Sequence, residues 1–223
     1  MLKVEKMTIS EENYIKVIYH LSLVSPKGVN TNAIAGMLDT KASSVTDMLK
    51  KLSEKDLVSY LKYQGVTLTE NGLLSAKMIV RKHRLWEVFL VDKLNFSWDE
   101  VHEIAEELEH IKSEKLIYKL DEYLGFPLFD PHGDPIPNAN GEIQKIDKLL
   151  LSDAVFNQNY ICVGVKNSSV EFLQYLDKKN IFLGVPIKVI SSEKFDQSLM
   201  INLNSDTISI SNKIAENLYI KLQ

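Results

Sequence analysis

The chain is short of nearly everything that would mark a secreted, membrane-spanning or catalytic protein. It has one cysteine, Cys162, in 223 residues, so no disulfide can form within it. No apolar run approaches the ~20 residues that cross a bilayer. The opening residues, MLKVEKMTISEENY, lack the continuous apolar core of a signal peptide. There is no internal repeat, no low-complexity tract, no HExxH, no nucleophile elbow and no phosphate-binding glycine loop. These absences point to a cytoplasmic protein with no membrane partner and no small-molecule substrate.

Basic charge is scarce too: the net charge is −4. It is unevenly spread. Residues 1–68 carry nine Lys and seven Asp/Glu, and the remainder carries seventeen Lys/Arg and twenty-three Asp/Glu. A mildly basic first third on an acidic body suits an anionic partner at that end.

What is present is a histidine and glutamate pattern. Three of the five histidines fall between His83 and His110. His83 and Glu87 are four apart. His102, Glu106, Glu109 and His110 are spaced to share one face of a helix. A Glu-rich face alone is most often only solvated. Here the pattern recurs on two successive segments while apolar residues hold the other faces. Imidazole with carboxylate suits a first-row divalent ion such as Mn²⁺, Fe²⁺ or Zn²⁺.

Ahead of it, Ser10 caps a helix over 10–24 that ends at Pro26 and Gly28. A short helix starts at Thr31, and another runs from Ala42 after a break at 39–41. That order is a helix-turn-helix. Val58 to Leu68, turning at Gln64-Gly65, reads as a β-hairpin, the wing of a winged helix. Thr69 caps a long helix to residue 94, Ser97 and Glu100 form a capping box for the helix of His102–His110, and another helix covers 113–123. A Pro- and Gly-rich loop follows. Five short strands and one amphipathic helix, Ser169–Lys178, then suggest a small β-barrel. The expected architecture is mainly α with a β C-terminal part. Its domains are 1–70 (winged helix-turn-helix), 71–140 (helical) and 141–223 (β).

The sequence HRLWE, then VHEIAEELEH, then DPHGDPIP behind a winged helix resembles the diphtheria toxin repressor and manganese transport regulator family over residues 8–137. The β part is similar to the SH3-like (FeoA-like) domain of its longer members. The resemblance implies a homodimer that binds double-stranded operator DNA when Mn²⁺ or Fe²⁺ is bound and represses metal-uptake genes. Zn²⁺, Co²⁺ or Ni²⁺ would also bind in vitro. It implies a primary metal site of Glu106, Glu109 and His110, with Asn13 where the family's first helix supplies another ligand and Lys16 where manganese-type members have a Glu. It implies an ancillary site of His83, Glu87 and His102, with Asp130, His132 and Glu171 near further ligand positions. Recognition-helix candidates are Lys41, Ser43, Ser44, Thr46, Asp47, Lys50 and Lys51, with Thr31 at the start of the preceding helix and Lys62 and Tyr63 on the wing.

Two other readings stand beside this one. A metal-independent winged-helix regulator would carry a vestigial site. A di-iron carboxylate enzyme would need a second Glu-x-x-His besides Glu107–His110, yet Val80 and Asp99 stand three before His83 and His102. No enzyme is expected.

Overall fold

The computed structural model describes residues 7–61, 65–204 and 206–223. Lys62, Tyr63 and the turn residue Gln64 lie outside the described residues. Two compact units emerge. The first takes the chain up to His83 together with Glu106–Lys115 and Pro137–Ile143. The second holds Arg84–Ala105, Leu116–Ile136 and Gln144–Gln223.

In the first unit, α1 spans Ile9–Val24. Its cap is Thr8, not the expected Ser10. Thr8 Oγ1 accepts from the Glu11 amide at 3.3 Å, and Glu11 Oε2 accepts from the Thr8 amide at 2.8 Å, closing a capping box one residue pair earlier. The Glu11 carboxyl, which burial pushes up, is nonetheless held below the usual range by the Thr8 amide and Lys55. Helix α2 (Thr31–Met37) is capped by Asn30, whose side chain accepts from the Asn32 amide at 2.7 Å. Helix α3 (Ala42–Glu54) follows a turn in which Asp39 is left-handed.

Strands β1 (Val58–Leu61) and β2 (Gly65–Leu68) pair antiparallel, and Val29 bridges to Val66 as a third edge. Ile15, Ile18, Ile34, Val45, Leu49, Leu52 and Ile79 are buried together, joining α1, α2 and α3 to the start of α4 in one core. Each contributes about 1.5–3 kcal/mol of transfer free energy.

Helix α4 (Glu70–Leu94) starts under Thr69, whose hydroxyl accepts from the Gly72 amide. A Cβ on Gly72 would sit 1.8 Å from the Leu57 carbonyl oxygen, so only glycine lets this turn rest against the end of α3.

In the second unit, Glu100 Oε2 accepts from both the amide and the hydroxyl of Ser97, at 3.1 and 2.7 Å. They order the turn before α5, which spans only Val101–Leu108. The expected helix to His110 therefore stops early, and Glu109 and His110 belong to the turn after it. Helix α6 (Glu114–Tyr123) buries Ile117 and Leu120. Leu116, expected inward, is 41% exposed.

The C-terminal strands are β3 (Leu149–Leu150), β4 (Asn159–Val165), β5 (Pro186–Ser192), β6 (Leu199–Leu203), β7 (Asp206–Ile210) and β8 (Leu218–Leu222). They form one antiparallel sheet in the order β3-β8-β4-β5-β6-β7. Helix α7 (Val170–Lys178) packs Leu173 and Leu176 onto it, and the short α8 (Asn212–Ala215) precedes β8. Strand β3 and helix α8 were not expected. Two and four residues are too few to show a period.

Candidate metal centres

Among the described residues, each unit holds a cluster of histidine and carboxylate with a buried centre. The first gathers on α1, on α4 at His83 and on the stretch Glu106–His110. Glu12 and Asn13 each neighbour Lys16 on α1, at four and three residues' spacing. His110 Nδ1–H donates to Glu12 Oε2 at 2.6 Å, and its Nε2 lies 4.0 Å from Glu109 Oε1. A carboxylate can only accept, so Glu12 fixes which ring nitrogen carries the proton. That turns the other toward the Glu109 side, as carboxylates behind metal-bound histidines do.

Glu109 is fully buried. Its Oε2 accepts from His83 Nδ1–H at 2.8 Å and its Oε1 from the Lys16 ammonium at 2.7 Å. The same Lys16 Nζ lies 2.5 Å from Glu106 Oε1. Burial pushes the Glu109 carboxyl up, but His83 and Lys16 outweigh it and hold it below the usual carboxylate range. Burial also pulls the Lys82 ammonium down, against the attraction of Glu12 and Glu109.

A divalent ion fits these donor types, and α1 carries one buried oxygen without a hydrogen-bond partner, Asn13 Oδ1. A buried amide oxygen of that kind is costly unless something positive meets it.

The second cluster contains Glu87 on α4, Asp130 and His132 in the loop after α6, and His102 on α5. Ligand atoms of Glu87, Asp130 and His132 all lie within 4.8 Å of one another, and all three residues are buried. His132 Nε2–H donates to the Trp98 carbonyl at 2.8 Å, which leaves Nδ1 with its lone pair 3.7 Å from Glu87 Oε1. Two ligands at ~2.1 Å from one ion stand at most ~4.2 Å apart, so that separation suits a shared cation. His102 Nδ1 is also 3.7 Å from Glu87 Oε1, with a largely exposed side chain.

Asp130 Oδ1 accepts from the amides of His132 and Asp134, both at 2.9 Å, and Oδ2 faces Arg84 Nε at 3.2 Å. Burial, then the neighbouring Glu87 and Asp134, push its carboxyl up to about 8 despite Arg84. Two acids this close and this dry are stabilised by an added cation.

The β domain holds this loop in place. Gly133, at φ 83°, packs where a Cβ would lie 2.1 Å from the Val163 carbonyl oxygen, and the Val165 amide donates to the His132 carbonyl at 2.9 Å. Trp98 stacks on His132 at 6.2 Å between centroids, and its Nε1–H donates to Asp177 of α7 at 3.0 Å.

The expected residues thus divide as follows. Glu106, Glu109 and His110 come together beside α1, and His83 bonds Glu109. Glu87, Asp130 and His132 come together in the second unit, with His102 beside Glu87. Glu171, exposed in the first turn of α7, lies outside that set. Lys16 does not point away from the acids but bridges two of them. Sequence reasoning missed Glu12 and Trp98. The i, i+4 spacing of Glu12 and Lys16 on the first helix was a readable signal for the former.

Of the candidate DNA contacts, Lys41, Ser43, Ser44, Asp47, Lys50 and Lys51 are exposed on or beside α3, while Thr31 and Thr46 are half-buried. The Thr46 hydroxyl donates to the Ala42 carbonyl at 3.0 Å, and Lys50 pairs with Asp47 at 3.3 Å. Asn13 and Tyr14 of α1 border the same cleft as Ser44 and Met48 of α3. Cys162 is buried in the β-domain core, where burial pushes its thiol up to about 11. It is not a ligand in either cluster.

Residues 6–66 match the family of the iron dependent repressor N-terminal DNA binding domain. Residues 69–138 match the iron dependent repressor metal binding and dimerisation domain, and residues 149–222 match the FeoA domain. An uncharacterized HTH-type transcriptional regulator of Methanocaldococcus jannaschii is 37% identical over 114 residues, covering 51% of this chain and 91% of that protein. The iron-dependent repressor IdeR of Mycobacterium tuberculosis is 33% identical over 126 residues, covering 56% of this chain and only 54% of IdeR. Among solved structures, a manganese-dependent transcriptional repressor in complex with manganese superposes with a TM-score of 0.81 at 30% identity, over 96% of this chain and 100% of that one.

Proposed function

Because this chain belongs to the iron-dependent repressor family, whose members are metal-dependent transcriptional repressors and not enzymes, we propose that it represses metal-uptake genes when its two clusters hold Mn²⁺ or Fe²⁺. The observation that carries this reading is the link between α1 and the turn after α5. His110 and Glu12 bond across 98 residues of sequence, with the unpartnered Asn13 oxygen next to Glu12.

The bound ion supplies concentrated positive charge and fixed ligand directions. The chain's own residues do the rest. Asn13, Glu106, Glu109 and His110 would hold the regulatory ion, with Glu12 orienting His110. Glu87, Asp130, His132 and His102 would hold the ancillary one. We group His83 with the first site through its bond to Glu109. All these donors are oxygen or imidazole nitrogen, which favours Mn²⁺ or Fe²⁺ over softer ions, with Zn²⁺, Co²⁺ and Ni²⁺ as in vitro substitutes.

Helix α1 shares one hydrophobic core with α2 and α3, so fixing α1 fixes the recognition helix. We place DNA contacts at Lys41, Ser43, Ser44, Asp47, Lys50 and Lys51. The operator partner is double-stranded DNA in the cytoplasm. A homodimer sets the two copies of α3 about one helical turn, ~34 Å, apart. Leu116 and Tyr123, seven apart on α6 and both exposed, support a dimer face in that region. We place the domain limits near 70 and 140.

The test is operator binding, by anisotropy, in Mn²⁺ and in chelator. At least tenfold tighter binding with metal is expected, about 1.4 kcal/mol of coupling. Equal affinity in the two conditions would sink the reading.

A further inference from the structure

In the first cluster a lysine ammonium bridges two carboxylates, whereas in the second Arg84 meets Asp130 from one side and leaves Glu87 to the histidines. Lys16 is buried, and its ammonium lies 2.5 Å from Glu106 Oε1 and 2.7 Å from Glu109 Oε1. An ammonium kept out of water is tolerated only among acceptors that carry the opposite charge, and these two carboxylates are such acceptors. Its four-carbon stem rises from α1, one turn beyond Glu12. The pair of contacts therefore ties the first helix to the Glu106–Glu109 stretch, 90 and 93 residues away in sequence.

We propose that Lys16 is a resident cation. It takes the place of one divalent ion that Glu106 and Glu109 would otherwise share with residue 16 and His83, and it makes by ion pairing a link that a metal would make by coordination. This rests on reading the cluster as a metal centre.

Several consequences follow from charge alone. The site holds three carboxylates, Glu12, Glu106 and Glu109, and Lys16 neutralises one of these charges from inside the fold. Asn13, as an amide, adds a ligand without adding charge. The first unit should therefore take one ion fewer than a version with an acid at position 16, and its assembled arrangement should depend less on metal. His83, which donates to the second oxygen of Glu109, keeps that carboxylate turned to present Oε1 to the ammonium.

The test counts metal and needs no DNA. Wild type, Lys16→Glu and Lys16→Gln, all full length, are dialysed against Mn²⁺, and the bound metal per chain is read by plasma mass spectrometry. Thermal unfolding is followed in parallel with chelator and with Mn²⁺. Lys16→Glu is expected to hold one more Mn²⁺ per chain than wild type. Lys16→Gln is expected to melt several degrees lower than wild type in chelator and to gain more from Mn²⁺ than wild type gains.

If Lys16→Glu holds the same number of ions as a metal-binding wild type, the proposal is overturned while the metal centre stands. Should Lys16→Glu fail to fold, Lys16→Gln decides: a gain from Mn²⁺ no larger than the wild-type gain overturns the proposal. If no variant and no wild type binds Mn²⁺, the metal-centre reading falls and takes this one with it.

Discussion

The two clusters hold the same kinds of group at similar depth, yet their acids are perturbed in opposite directions. Glu109, fully buried, lies below the usual carboxylate range because His83 and Lys16 each donate to it. Asp130, equally dry, is pushed up to about 8 by burial and by Glu87 and Asp134, although Arg84 faces it. Burial raises both. The sum of the neighbouring charges decides the sign: two donors outweigh burial at Glu109, and at Asp130 two acids add to burial and outweigh Arg84. In the first cluster Lys16 and His83 hold Glu109 charged without a metal, while in the second the acids Glu87 and Asp130 press on each other until a cation joins them. On the function proposed above, the first would report to the DNA-binding core through α1 and the second would stabilise its own unit.

The largest effect should come from removing one imidazole at each place. His110→Ala is expected to abolish the metal stimulation of DNA binding, a loss of at least tenfold in Mn²⁺, about 1.4 kcal/mol, with little change in chelator. His132→Ala should leave most of that stimulation and lose most of the rise in melting temperature that Mn²⁺ gives, since bound metal stabilises the native state by mass action. Operator titrations and melts on the two variants check this. The reverse pattern would exchange the roles of the clusters.

A smaller effect, but of opposite sign at the two sites, should appear in the pH dependence of stability in chelator. Asp130 has a raised native value, so between the ordinary carboxylate range and about pH 8 the folded state binds more protons than the unfolded one. Stability from this group therefore falls as pH rises through that window. Glu109 has a depressed native value, so its contribution is present above the ordinary carboxylate range and is lost as pH drops below it. Asp130→Asn should flatten the first slope and Glu109→Gln the second. Urea titrations from pH 3 to 9 separate the two, and a shared direction would show that the clusters do not differ as described.

The smallest effect concerns support. Asp177→Ala removes the acceptor for Trp98 Nε1–H, and with it a tie between α7 and the ring stacked on His132. That hydrogen bond is exposed, so about 0.5–1.5 kcal/mol of stability is at stake. Mn²⁺ affinity should weaken at the second cluster alone. An equal loss at the first would show that Trp98 supports the fold rather than the site.

Much of this molecule was readable because its local rules are short-ranged. Alternation and helical spacing located β4 to β8 and α1 to α7 to within a few residues. Thr69 and Asn30 are cap residues by type, and Gly65 turns the hairpin at φ 91° as glycine alone does readily. Errors fell where the signal was shorter than one period, as at β3 and α8, or where two rules competed. Ser10 and Thr8 are both good caps, and the box with Glu11 favoured Thr8. His102 to His110 has helical spacing throughout, yet α5 ends at Leu108.

The sequence by itself determined where the helix-turn-helix lies and which stretches carry imidazole and carboxylate at helical spacing, because residue type and periodicity act within a turn or a strand pair. Tertiary structure alone decided who meets whom. His110 found Glu12, Lys16 found Glu106 and Glu109, and His132 settled its proton on the Trp98 carbonyl side. Those partners lie 98, 90, 93 and 34 residues apart. Nothing in local propensity encodes such a separation. It is set by how buried apolar faces pack and by the rule that a buried charge must end beside its opposite.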